Sequence, residues 1–158
     1  MATVSLRDMR ADEYEAYSAE RDADYVASMS GTSSPGAARE RARQGRAHFL
    51  PRGLATEGHH VLVAEDPAGE VVGMAWVGLS EPRTGDPDTA WLYDLRVLPA
   101  QRRRGYATAI LGAVEELVRD AGARRLGLNV FGANRAAISL YEGGGYEVTT
   151  QQMAKRLG

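Results

Sequence analysis

The run Arg102-Arg103-Arg104-Gly105-Tyr106-Ala107 sets three permanently charged guanidinium groups directly before a glycine and a small residue. Glycine reaches backbone conformations that other residues avoid and lets a ligand approach the main chain. A loop that opens a helix presents unpaired N–H groups at the positive end of the helix dipole. Guanidinium groups add forked, charged donors. Residues Arg102 to Ala107 are therefore candidates for holding a phosphate or pyrophosphate, against the blander role of a solvated helix start. They do not form a Walker loop, because no Gly-Lys-Ser/Thr follows. Nor do they form the Gly-x-Gly-x-x-Gly dinucleotide turn.

The elements around this loop follow from hydrophobic periodicity. Before it, residues 90–98 are rich in aromatic and branched side chains and predict a strand that Pro99 ends. After it, Ala107, Ile110, Leu111, Val114, Leu117, Val118 and Ala121 recur at helical spacing, so residues 108–121 predict a helix stopped by Gly122. Upstream, residues 3–7 read as a short strand and residues 12–28 as a helix with a sparse apolar stripe. Residues 35–49 read as an Arg-rich helix with Pro35 in its first turn and Ser33 or Ser34 as cap. It is either a solvated face or a lid over a substrate site. Residues 60–65 and 71–79 read as a hairpin around Asp66-Pro67-Ala68-Gly69. Downstream come a strand at 125–131, a short helix at 134–141 with Ile138 and Leu140 buried, and a final hairpin from 146–148 and 152–156. The class is α/β (α+β): a mixed, mostly antiparallel sheet of about six to seven strands flanked by about four helices.

Composition bounds the function. A chain of 158 residues fits one domain, here spanning 1–158. A net charge of −2 gives no global case for nucleic acid or an anionic membrane, although Arg102 to Arg104 with Arg124 and Arg125 form a basic patch. There is no cysteine, which removes disulfides, thiolate metal sites and thiol nucleophiles. His48, His59 and His60 are too few and too bunched for a zinc site, so no metal is expected. No apolar run approaches a membrane span, and the N-terminus lacks a signal-peptide pattern, so a cytoplasmic protein is expected.

A second run completes the pattern. Asn134-Arg135-Ala136-Ala137-Ile138-Ser139-Leu140-Tyr141-Glu142-Gly143-Gly144-Gly145-Tyr146 matches Asn-x-x-Ala-x-x-Leu-Tyr-x-x-x-Gly-Tyr. With Val97-Leu98-Pro99 and the Arg102 to Ala107 loop before it, the chain resembles the GNAT superfamily of acyl-CoA-dependent N-acetyltransferases. The match is tight from Trp91 to Tyr146, whereas residues 1–57 carry no motif of the family. The resemblance implies acetyl-CoA as cosubstrate, with the pyrophosphate on the amides of Arg102, Arg103, Arg104, Gly105, Tyr106, Ala107 and Thr108. It implies a V-shaped splay between the two central strands and pantetheine pairing with the backbone of Leu95, Arg96 and Val97. It also implies contact between Asn134 and the pantetheine arm, and Tyr141 as general acid. The partner would be a small-molecule or peptide amine, and many relatives are homodimers. The rival function is a non-catalytic acyl-CoA-binding or sensing domain.

The implied chemistry is direct attack of an amine on the thioester through a tetrahedral intermediate. A thiol has a pKa of about 8.5 and tyrosine about 10, so a phenol can protonate the departing sulfur without ionising at neutral pH. Tyr141 is otherwise a packed aromatic at a helix end. The general base is not evident. Some relatives carry Glu where this chain has Asn129, and others hold a carboxylate near Trp91. Asp94 is the nearest acid, but strand alternation sets it opposite Tyr93 and Leu95 unless a bulge intervenes. Glu57 and His59 remain candidates through water. A lysine amine is unprotonated in about one molecule in 2,500 at pH 7, a peptide α-amine in about one in seven. An α-amine or another low-pKa amine is therefore the expected acceptor. The Gly143-Gly144-Gly145 run is expected to loosen the helix end that carries Tyr141.

Overall fold

The computed structural model describes residues 1–158 and divides into two units, residues 1–128 and 129–158. In the first, β1 (Ser5–Asp8), β2 (His59–Glu65), β3 (Val71–Gly78), β4 (Thr89–Val97) and β5 (Arg125–Leu128) form one sheet in that order. The first four pair antiparallel. β5 runs parallel to β4 because a crossover helix, α3 (Tyr106–Asp120), joins them. Asp66 closes the β2–β3 hairpin, its Oδ1 accepting from the amides of Ala68 and Glu70 at 2.9 Å each.

Helices α1 (Ala11–Ser28) and α2 (Pro35–Phe49) pair with each other. Arg10 N–H donates to the Glu13 side chain at 2.9 Å at the start of α1, and Ser34 Oγ accepts from Ala37 N–H at 3.2 Å at the start of α2. Met9, Tyr17 and Leu50 pack with Val61, Val63 and Trp76 of the sheet into one core cluster. On α3, Ile110, Leu111, Val114 and Val118 are buried, the stripe expected from their spacing. Gly73 shows how closely α3 sits on the sheet: a Cβ there would lie 2.7 Å from Ile110 Cδ1 and 2.3 Å from the Arg96 carbonyl oxygen.

The register of β4 matters most. Trp76 pairs with Asp94 and Val77 with Leu92, so Tyr93 has no partner on β3 and forms a bulge. On the other side, the parallel ladder with β5 ends at Leu92 and Leu128. From Tyr93 to Val97 that edge of β4 has no strand partner. The ladder of the two strands expected to splay therefore ends just before the bulge, and the strand expected to reach Phe131 stops with it at Leu128.

In the second unit, α4 (Arg135–Gly143) starts from Asn134. Ile138 and Leu140, expected to be buried, are half-buried. The final hairpin does not form, and residues 146–158 have no regular secondary structure. The sheet thus has five strands, not six to seven. Nothing between the two expected strands turns the chain, because Thr149-Thr150-Gln151 lacks a residue suited to a tight hairpin. Val148, Met153 and Leu157 are exposed, so no buried face fixes their register.

Candidate active site

The Arg-rich loop is shaped by two left-handed residues. After β4, Pro99–Gln101 form a single 3-10 turn and Arg102 is extended. Arg103 then has φ 64° and Gly105 has φ 83°. Gly105 is the N-cap of α3 and no side chain caps that helix. The first-turn amides consequently have neither an intrahelical nor a side-chain acceptor. The helix begins at Tyr106, two residues before the expected start, so Tyr106 and Ala107 belong to its first turn and not to the loop. Arg102, Arg103, Arg104, Gly105 and Thr108 are exposed, while Tyr106 and Ala107 are half-buried. Arg104 Nη1 donates to Gln101 Oε1 at 3.2 Å. Open amides at the positive end of a 15-residue helix, preceded by three exposed arginines, suit a phosphate-bearing group such as the CoA pyrophosphate.

Leu95, Arg96 and Val97 lie just upstream on β4 and pair with Ala75, Met74 and Gly73 of β3. Their other edge carries no strand. The Arg96 side chain turns to α1, with Nη1 2.9 Å from Asp24 Oδ2 and 3.6 Å from Glu20 Oε2. Its Nε is buried without a hydrogen bond.

At the bulge, Tyr93 and Asp94 point to the same side of the sheet although they are consecutive. Tyr93 stacks on Trp76 with centroids 4.4 Å apart, and meets Phe49 at 5.0 Å and His59 at 5.4 Å. Asp94 Oδ2 accepts a 2.7 Å hydrogen bond from the Tyr17 hydroxyl and lies 3.5 Å from Arg96 Nε and 3.7 Å from Arg21 Nε. The bulge thus overturns the simple alternation that set Asp94 opposite Tyr93, and a structural hydrogen bond occupies the carboxylate. Burial drives the Tyr17 phenol well above its ordinary pKa, and Asp94 adds to that, so it stays protonated. Burial likewise pushes Tyr93 up to about 12, with the Glu81 charge adding.

His59 is placed against a catalytic role. Its Nδ1 accepts from Trp76 Nε1 at 3.0 Å, so the neutral ring carries its proton on Nε2. Desolvation, with His60 nearby, lowers its pKa. Taking up a proton would require breaking the indole bond.

Asn134 and Tyr141 stand at opposite ends of α4. Asn134 Oδ1 accepts from Ala137 N–H at 3.2 Å and caps the helix. Tyr141 is half-buried in the last turn, its ring edge-on to Tyr146 at 5.6 Å. The glycines after it tighten the helix end and do not loosen it. Gly145 has φ 90°, its N–H donates to Glu142 O at 3.0 Å, and Tyr146 N–H donates to Tyr141 O at 2.9 Å. This is a Schellman motif with its apolar contact, so the Tyr-x-x-x-Gly-Tyr spacing also has a structural purpose.

A groove of about 360 Å³ lined by Tyr14, Glu15, Ser18, Ala19, Asp22 and Arg46 contains none of the loop or bulge residues. No group of His, Asp and Glu side chains is arranged to hold a metal ion. No helix is long and apolar enough to cross a membrane.

The profile of the Acetyltransferase (GNAT) family matches residues 8–146. The chain belongs to the GNAT family. This GNAT acetyltransferase is 32% identical over 157 residues to YycN of Bacillus subtilis strain 168, described as an uncharacterized N-acetyltransferase, covering 98% of this chain and 99% of that one. The crystal structure of YycN superposes with a TM-score of 0.90 over the same shares of the two chains. An L-methionine sulfoximine/L-methionine sulfone acetyltransferase of Pseudomonas aeruginosa is 32% identical over 106 residues, or 66% of this chain and 61% of its own. The PaiA N-acetyltransferase of Thermoplasma acidophilum, solved in complex with coenzyme A, shares the fold at 15% identity, with a TM-score of 0.68 covering 95% of this chain and 93% of that one. As a GNAT protein, the chain is an acyltransferase enzyme. Its motifs revealed the loop and α4, but they missed the cluster of Tyr17, Arg21, Trp76, Tyr93 and Asp94. Tyr17, Arg21 and Trp76 lie in elements without a family motif, and only the fold brings them to Tyr93 and Asp94.

Proposed function

We propose that this enzyme transfers the acetyl group of acetyl-CoA to the α-amine, or another low-pKa primary amine, of a small molecule or peptide. The observation that carries the cosubstrate is the uncapped start of α3 with Arg103 and Gly105 in left-handed conformations. In this reading, the amides of Arg102 to Thr108 hold the pyrophosphate, assisted by the three guanidinium groups. The open edge at Leu95, Arg96 and Val97 offers backbone groups to the pantetheine arm, as an edge strand receives an added strand. Asn134 contacts the same arm through its amide nitrogen, since its oxygen caps α4. Acetyl-CoA supplies the thioester that the amine attacks.

Tyr141 donates the proton that the departing sulfur takes up, and the proton shed by the nitrogen as the amide forms passes to water, from which the phenol is reprotonated. The Schellman turn and the Tyr146 contact keep it in one place. The preference for a low-pKa amine rests on the shortage of a base: Asp94 is engaged by Tyr17, His59 by Trp76, and Asn129 cannot accept a proton. One relative acetylates amino-acid derivatives, as its name states, which agrees with an α-amine acceptor.

The test is acetyl-CoA turnover, followed as thiol release, against α-amines, polyamines, aminoglycosides and lysine peptides. The fastest turnover is expected on an α-amine. Tyr141→Phe is expected to lower kcat by about 100-fold or more with CoA affinity, read by thermal shift, unchanged. A lysine peptide outpacing every α-amine refutes the acceptor, and a fully active Tyr141→Phe refutes the acid.

A further inference from the structure

Arg21 is a cation in place but without a hydrogen bond. Its guanidinium carbon lies 4.5 Å from the centroid of the Trp76 ring and 6.0 Å from that of Tyr17. Its nearest anion, Asp94 Oδ2, is 3.7 Å from Nε, beyond hydrogen-bond length, and that oxygen already accepts from Tyr17. Nearby acids are taken by other partners: Asp22 pairs with Arg46, and Asp24 with Arg96. Arg96 Nε is the one buried side-chain polar atom without a hydrogen bond, so the Arg21 donors reach solvent. Stacking on an indole fixes the plane of a guanidinium and leaves its edge free to take a planar anion in a forked pair.

The indole that carries Arg21 also belongs to an aromatic cluster. Trp76, Tyr93, Phe49 and His59 are in ring contact with one another around the bulge, where β4 leaves β5. A carboxylate receptor joined through Trp76 to an aromatic cluster, at the strand proposed to run along the cosubstrate, matches one kind of amine. We propose that Arg21 holds the carboxylate of the acceptor, and that the acceptor is an α-amino acid whose apolar or aromatic side chain lies on Tyr93 and Phe49. This rests on the α-amine reading above and narrows it. It also bears on the missing base. A free carboxylate next to an amine favours the protonated amine, and pairing that carboxylate with Arg21 removes much of the effect. Ion pairing thus makes the attacking amine easier to deprotonate.

The experiment compares kcat/KM for L-leucine and L-phenylalanine with their amides, in wild type and in Arg21→Gln. An amide lacks the carboxylate, yet its amine is the easier to deprotonate, so basicity cannot produce a preference for the acid. Wild type is expected to favour the acids by about 10- to 100-fold, the worth of a charge-assisted pair. Arg21→Gln is expected to abolish that ratio, chiefly through KM for the acids, and Arg21→Lys to restore it in part. A wild-type ratio of one or below overturns the proposal without any variant. An equal loss on acid and amide in Arg21→Gln also overturns it, because that is how a mere clamp of α1 onto Trp76 behaves. If wild type binds CoA and acetylates other amines but neither acids nor amides, the α-amine reading itself fails, and this proposal with it.

Discussion

Gly105→Ala isolates backbone conformation from space at the start of α3. Gly105 has φ 83° and ψ 7°. A Cβ added there would meet only Ala2 Cβ, at 3.7 Å, an ordinary contact. Crowding therefore costs nothing, and the whole penalty is that of holding an L-residue in the left-handed region, about 1–2 kcal/mol. The penalty has two outlets. If the loop keeps its shape, the folded state loses that amount and Tm falls by a few degrees for a chain of this size. If the loop relaxes, the strain disappears from the melting curve, but the first-turn amides lose their arrangement. CoA must then pull them back, and its Kd rises by about 5- to 30-fold. Thermal melts with and without CoA, together with a CoA titration, read both outlets. Gly105→Asn should recover part of either loss, since asparagine tolerates the left-handed region better than alanine. A Gly105→Ala protein that melts and binds CoA as wild type refutes both the loop conformation and its assignment to the pyrophosphate.

Gly73→Ala tests the opposite case, an ordinary backbone with no room. A Cβ 2.3 Å from the Arg96 carbonyl oxygen forces β3, β4 or α3 apart, and a loss of about 3 kcal/mol is expected in chemical denaturation; an unchanged midpoint refutes the packing. Glu81 supplies a pH signature. Burial opposes its ionisation, but hydrogen bonds from Arg83 Nε and from the amides of Arg83 and Thr84 outweigh that and hold the carboxyl at about 2 against an ordinary 4.5. Its stabilisation is therefore complete above pH about 4.5 and is lost as pH falls toward about 2. The stability gap between wild type and Glu81→Gln should narrow over that interval; a gap that is constant with pH contradicts the assignment.

Much of the local architecture was legible in residue spacing. The apolar stripe from Ala107 to Val118 predicts α3 and its buried face because helical neighbours lie three and four residues apart. Ser34 before Pro35 predicts the start of α2, and that bond forms. Gly105 falls where a left-handed residue is needed to enter α3. Spacing also showed the Tyr141-to-Tyr146 segment, although not that Gly145 locks it as a Schellman turn. In each case the partners lie within about five residues, so the chain carries the whole interaction within itself.

The register of the sheet was not legible. At Tyr93 the β3 ladder slips by one residue and continues, just past the end of the β5 ladder at Leu92, and no composition of β4 alone says where distant strands will pair. Once the bulge forms, Asp94 turns toward Tyr17 and Tyr93 onto Trp76. Arg21 over Trp76 is likewise a meeting of two elements with no motif in common. The missing C-terminal hairpin is the converse: residues 146–158 alternate well enough to predict strands, but Val148, Met153 and Leu157 stay exposed. The sequence alone therefore determined the helices, the place of the Arg102 to Ala107 loop and the family. The tertiary structure decided which side chains gather around the Tyr93 bulge, because contacts between remote segments depend on the packing of the whole sheet and not on any local pattern.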